Sequence, residues 1–237
     1  MPPYVISVPE RLDELSVDVM RARLANAGEA EAIVFQGAPG RFCLGMDFEK
    51  VTAAGTGNAA SVKRGLASFA SLIEQILTAP RPTLAVIDGA ALGGGLGIAA
   101  GCDFVLASDR SRFGLPEALY GLAPAIIRPA LLTRLTIQKL NMLLFTCHSR
   151  SADEAFAVGL IDQIVPHEQL ETATGEIVRS LRRARSQSVR AVRQWNVPGF
   201  AEALRAGAAE TADALSDERV IGALRAAESD EELPWTR

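Results

Sequence analysis

Apolar residues along this chain change rhythm from one segment to the next. YVISV, Tyr4 to Val8, reads as a short strand. The stretch from Ser16 to Asn26 reads as a helix, with Val17, Met20 and Leu24 on one face. Ala32 to Gln36 is an unbroken apolar run, a buried strand closed by the turn signals Gly37, Pro39 and Gly40. From Val51 to Ala60 the composition shifts to Thr, Ala, Gly and Asn, predicting a mobile loop with a frayed helical turn. A long helix follows from Ser61 to Leu77 and stops before Pro80 and Pro82. Thr83 to Asp88 is the next strand, Ala91 to Gly97 a glycine-rich turn, Gly95 to Cys102 a small-residue helix and Phe104 to Ser108 another strand. Beyond Ala123 helices dominate, broken by a strand at Ile161 to Val165, and the tail from Ala201 to Ser229 is amphipathic. Strands alternating with helices predict an α/β core, and the helical last third predicts a C-terminal layer suited to association.

A chain of 237 residues with 49% hydrophobic and 22% charged residues is one ordinary domain with a full core. Its net charge of −4 argues against a nucleic-acid binder, which carries a basic stripe. Cys43, Cys102 and Cys147 have neither disulfide-framework nor metal-ligand spacing, and with only His148 and His167 beside them no metal site is expected. Cys43 and Cys102 read as small buried hydrophobes, and His148 beside Cys147 has no evident acidic partner. The first residues lack the pattern of a signal peptide and no stretch is apolar enough to cross a bilayer, so a soluble, cytoplasmic protein is expected.

Three segments carry chemistry. RFCLGMDFEKV, Arg41 to Val51, places Gly45 just before Met46 and Asp47; IDGAALGGGLGIAAGCD, Ile87 to Asp103, joins a strand to a helix through three glycines. Glycine lets a ligand approach the backbone, and free N–H groups at a helix start favour negative charge. Two such amides converging on one point form an oxyanion hole. Read alone, the triple glycine equally serves tight helix–sheet packing. Gly95 to Ala100 also matches a loose dinucleotide fingerprint, without a second βαβ half to frame it. The third segment, Ser111 to Leu135, holds Glu117 after Pro116 among apolar neighbours, where desolvation raises a carboxyl toward the range useful for proton transfer. Read alone, Glu117 is better taken as a helix-start glutamate on a backbone amide; the neighbouring segments change that.

Taken as a set and in this order, the three segments resemble the crotonase, or enoyl-CoA hydratase/isomerase, superfamily over about Ala32 to His167. The resemblance implies a spiral of ββα turns over residues 1–190, a C-terminal helical region over 191–237, and a homotrimer or dimer of trimers. It puts the two oxyanion amides on Met46 and Gly94 and one family glutamate on Glu117. The second family glutamate falls on Gly97, which transfers no proton and is left as a candidate substrate contact, and the usual Asn-Ala-Leu is absent around Asp13-Glu14-Leu15. Phe42 to Glu49 and Leu115 to Ala125 are most similar to the dehydratases of polyketide β-branching cassettes, which also carry glycine at the place of Gly97.

That likeness implies dehydration of 3-hydroxy-3-methylglutaryl on an acyl carrier protein to 3-methylglutaconyl. No cofactor is needed beyond the phosphopantetheine or CoA of the substrate itself. Tyr120 is a candidate proton donor or a packing residue. Arg128, alone in the apolar AIIRPALL, is a candidate for the glutaryl carboxylate or a surface arginine. Single-glutamate hydratase, isomerase or decarboxylase chemistry and a non-catalytic acyl-thioester binder are the alternatives.

Overall fold

The computed structural model describes residues 3–28, 30–53, 59–196 and 199–228. Strands β1 (Tyr4–Ser7), β2 (Ile33–Gln36), β4 (Thr83–Ile87), β6 (Phe104–Ser108) and β9 (Gln163–Val165) form one wholly parallel sheet in that order. Its middle strands are buried on both faces, as parallel sheets covered by crossovers must be. A second sheet takes β3 (Arg41–Cys43), β5 (Ala90–Leu92) and β7 (Arg112–Gly114) in parallel, with β8 (Arg150–Ser151) antiparallel at its edge.

The chain passes from the first sheet to the second at each of three corners, β2 to β3, β4 to β5 and β6 to β7, and each pair leads into helix. The repeat is a spiral of ββα turns. Asp88 ties its corners together: it accepts from the Gly40 N–H at 2.8 Å, from Ser108 Oγ at 2.9 Å and from Arg110 Nε at 2.7 Å, and pairs with His167 Nδ1 at 3.1 Å. Burial pushes the Asp88 carboxyl up, but the Arg110, Gly40 and Ser108 donors outweigh it and hold it well below the carboxylate range. Gly89 beside it has φ +89°, and a Cβ there would stand 2.0 Å from the Gly40 carbonyl oxygen.

Helix α1 (Glu14–Ala25) begins on the Asp13–Ser16 capping box, two residues ahead of the predicted start. Helix α2 (Phe48–Ala53) occupies the first part of the predicted mobile loop, positions 54–58 of that loop lie outside the described residues, and α3 (Ala59–Leu77) takes in its end. Helix α4 (Gly94–Gly101) follows β5. After the second sheet come α5 (Arg128–Leu132), α6 (Ile137–Thr146), α7 (Ala152–Ala157), α8 (Leu170–Leu181) and α9 (Ser186–Asn196). Arg193 of α9 is buried and donates to the carbonyls of Ile76 and Leu77 at the end of α3 and to Asp103 at 2.6 Å. Helix α10 (Phe200–Ala214) packs along α3, and α11 (Glu218–Glu228) packs against α2 and the short 3-10 helix Glu117–Tyr120. The last helices therefore fold back over their own chain. Among the described residues no helix is long and apolar enough to cross a membrane.

Candidate active site

Leu12 forms an isolated parallel bridge with Met46, its N–H bonding the Gly45 carbonyl at 2.8 Å and its carbonyl the Asp47 N–H at 2.9 Å. Successive amides of an extended chain point to opposite sides, so the Met46 N–H is turned away from Leu12. Gly94 opens α4, and its N–H has no acceptor within the helix. The two turns touch: a side-chain carbon added at Gly45 would lie 3.4 Å from the Gly94 nitrogen. Between them Gly93 holds φ +49° and ψ −121°, a conformation closed to other residues.

Glu117 is delivered to this point from the opposite side. Pro116 caps the 3-10 helix that begins with Glu117, and Gly121 ends it in the left-handed region. A Cβ at Gly93 would stand 2.9 Å from Glu117 Oε1, so the carboxyl lies directly against the glycine turn. Its Oε2 is sealed from solvent and has no hydrogen-bond partner among the described residues. Burial pushes the carboxyl from 4.5 up to about 7, offset only by a backbone hydrogen bond. A glutamate serving merely as a helix cap would not leave an oxygen unpartnered in the interior.

A cavity of about 410 Å³ runs past these groups and is lined by Met46, Gly93, Gly94, Glu117 and Tyr120. Its deeper wall is apolar, with Leu66, Phe69, Ile126, Ile127 and Leu215. Its charged lining is Asp13, Glu14, Asp47, Lys50 and Glu117; Lys50 is the sole cation among the described residues there, and it pairs with Asp13 and, at 3.4 Å, with Asp47. Tyr120 is half-buried and packs edge-on against Phe48, with ring centroids 5.9 Å apart. Burial and then the nearby Glu117 raise its phenol, which keeps it a proton donor.

Two of the six sequence-predicted positions fall outside the cavity lining. Arg128 is exposed at the start of α5 and lines a separate surface depression with Gly199 and Phe200. Its neighbour Ile127 lines the cavity, whereas Arg128 lies on the surface. Gly97 is buried beneath that same Ile127: a Cβ on Gly97 would sit 2.1 Å from Ile127 Cγ2. Ile127, Thr211 and Leu215 are among the lining residues that the sequence pattern did not single out; an apolar side chain such as Ile127 in an apolar run carries no signal of which cavity it faces. Cys43 and Cys102 are buried thiols pushed up to about 11 and about 12 by desolvation. Among the described residues no cluster of His, Cys, Asp and Glu could hold a metal ion.

The family model described as enoyl-CoA hydratase/isomerase matches residues 12–218. The chain is 34% identical over 168 residues to the peroxisomal fatty acid beta-oxidation multifunctional protein MFP2 of Arabidopsis thaliana, covering 68% of this chain and 23% of that protein. It thus spans about a quarter of that relative's length. It is 29% identical over 184 residues to the short-chain-enoyl-CoA hydratase of Clostridium acetobutylicum, covering 74% and 69% of the two chains. Among solved structures it is similar to a provisionally assigned polyketide biosynthesis enoyl-CoA hydratase (PksH) from Bacillus subtilis, with TM-score 0.85, 23% identity and 97% and 95% of the chains covered. An enoyl-CoA hydratase from Bacillus halodurans gives TM-score 0.86 at 18% identity, covering 94% and 96%. At these identities the structural likeness is one of fold.

Proposed function

Because the chain belongs to the enoyl-CoA hydratase/isomerase family and has the crotonase fold, we propose that it is a lyase for a 3-hydroxyacyl thioester with Glu117 as its only acid/base. The observation that carries this reading is the unpartnered, buried Glu117 oxygen lying against the Gly93–Gly94 turn. In this reading the N–H groups of Met46 and Gly94 hold the thioester oxygen as negative charge develops on it. Glu117, as carboxylate, takes the α-proton. The bond from C3 to its hydroxyl then breaks, and protonated Glu117 returns the proton to the departing oxygen, so one water leaves and the enzyme is restored. The same groups must catalyse the reverse addition.

The proposed substrate is 3-hydroxy-3-methylglutaryl on an acyl carrier protein. It is supported by the similarity of Phe42 to Glu49 and Leu115 to Ala125 to β-branching dehydratases and by the glycine at 97, and it fits what the name of PksH says of that protein. With Arg128 outside the cavity, the cation in reach of a glutaryl carboxylate is Lys50. The exposed apolar residues Ile137, Met142 and Phe145 of α6 and Phe156 of α7 support a homotrimer or larger assembly.

A second reading is double-bond isomerisation, in which Glu117 moves a proton between carbons. It is favoured by the hydrocarbon of Ile127 where a second carboxylate would stand. Intact-protein mass spectrometry of hydroxymethylglutaryl-loaded carrier protein separates the two: loss of one water supports the dehydratase. No water change in either direction, with turnover of a 3-enoyl thioester, selects the isomerase. Glu117→Gln is expected to abolish deuterium exchange at the α-carbon with the fold retained, and wild-type exchange in that variant refutes the role of Glu117. Thioester binding without exchange in the wild-type protein would mark a binding module.

A further inference from the structure

We infer that Ile127 is a specificity-determining residue: it walls the acyl cavity with hydrocarbon just beyond the α-carbon, so any oxygen on C3 must lie on the Glu117 side. The inference rests on the reading of Glu117 given above. Gly97 lies one helical turn past Gly94 along α4, about 5 Å deeper than the amide proposed to hold the carbonyl. The wall there therefore meets C3 and C4 of a bound acyl chain rather than the thioester.

The wall is fixed from both sides. Below it, Ile127 Cγ2 and Cβ would lie 2.1 and 2.6 Å from a Cβ on Gly97, so the isoleucine packs directly on the backbone of α4. Above it, a Cβ on Gly207 of α10 would stand 2.5 Å from the carbonyl carbon and oxygen of Ala125. The segment from Ala123 to Ile127 is wedged between two glycines of separate helices, and all five of its residues line the cavity. Ile127 is 2% exposed, packed on α4 on one side and lining the cavity on the other. It offers no hydrogen bond to a hydroxyl or to an attacking water, and burying either against it without a partner is unfavourable. Every proton in the reaction then passes through Glu117, and the substituent that faces the wall is a hydrocarbon.

The test compares two rates in one protein: α-proton exchange of 3-hydroxybutyryl-CoA in deuterium oxide, and its interconversion with crotonyl-CoA. Replacing the wall by a second carboxylate, Gly97→Glu with Ile127→Ala, supplies an acid/base for the C3 oxygen. It is expected to raise interconversion relative to exchange by about 100-fold, the lower end of what a positioned acid/base contributes. Ile127→Thr, which keeps the branched shape and adds a hydroxyl, serves if the double variant does not fold, with an expected rise of about tenfold, a fraction of that contribution. Gly97→Glu alone is expected to lose exchange, because its Cβ collides with Ile127. An unchanged ratio in a folded double variant, or in Ile127→Thr, overturns the inference. Absence of exchange in the wild-type protein instead sinks the reading of Glu117 and this inference with it.

Discussion

Glu117→Gln should make the protein more stable while abolishing proton transfer, and the gain should depend on pH in a defined way. The carboxyl sits in the interior with Oε2 unpartnered and is pushed from 4.5 to about 7. The folded state therefore holds this proton more tightly than the unfolded chain does. Below about pH 4.5 both states are protonated and the residue contributes nothing to pH dependence. As pH rises from there to about 7, the unfolded chain ionises while the folded protein does not, so stability falls by about 1.4 kcal/mol per pH unit. Above about pH 7 the full penalty stands, about 3 kcal/mol by this arithmetic, and water entering the cavity lowers it. Glutamine has the shape of the protonated acid and cannot ionise. In urea unfolding the variant should match the wild-type protein near pH 4 and exceed it by up to about 3 kcal/mol near pH 8. The other titrating groups are common to both proteins and cancel in the difference. A variant less stable than wild type at every pH, or a gap that does not widen with pH, would refute burial as the cause of the raised value.

The same carboxyl sets the activity profile: α-proton exchange should rise as pH passes through about 7, because the base form does the work, and a flat profile from pH 5 to 8 would contradict it. Gly93→Ala forces a side chain into φ +49° and within 2.9 Å of Glu117 Oε1; it should cost about 1–3 kcal/mol in urea unfolding and lower exchange about 100-fold, because both the amide and the carboxyl shift. Arg193→Met strips the end of α3 and Asp103 of a buried cation and should destabilise by about 3 kcal/mol in urea unfolding. Asp88 is held below the carboxylate range, so its contribution is present above about pH 4 and lost as pH falls further. The stability gap between wild type and Asp88→Asn should therefore shrink on acidification below about pH 4, as read by unfolding at stepped pH.

The first sheet was legible because its strands lie in mostly apolar runs, four or five residues long in all but the three-residue β9. Four strands of the second sheet were not, since β3, β5, β7 and β8 have two or three residues each, and pairs as short as Arg150–Ser151 carry no periodicity. Met46, Gly94 and Glu117 stood out because glycine turns and a lone carboxylate break an apolar background. Tyr120 also lines the cavity. Arg128 broke the background too, yet it faces away: conspicuous charge in an apolar run signals amphipathic shape as readily as a site. The contribution of the C-terminal helix, Thr211 and Leu215, had no signal before the packing of α10 on α3 was known.

Gly97 shows why position and space are different questions. A missing side chain at 97 could have left a water-filled recess, and a polar substrate group could have used it. Interiors, however, are packed to crystal-like density, so a side chain absent from one element is replaced by one from another. Here the replacement is Ile127, pressed onto the Gly97 backbone by a segment that Gly207 lets α10 hold down. The departure from a two-glutamate pattern is therefore more than the loss of one acid: it puts hydrocarbon in the wall of the cavity that Glu117 also lines. The Glu117 carboxyl is raised by burial, and its Oε2 has no hydrogen-bond partner among the described residues. Ile127 and Glu117 line one cavity, so Ile127→Thr, which puts a hydroxyl in that wall, should bring the pH at which α-proton exchange rises below about 7; an unmoved profile would separate the hydrocarbon wall from the proton affinity of Glu117.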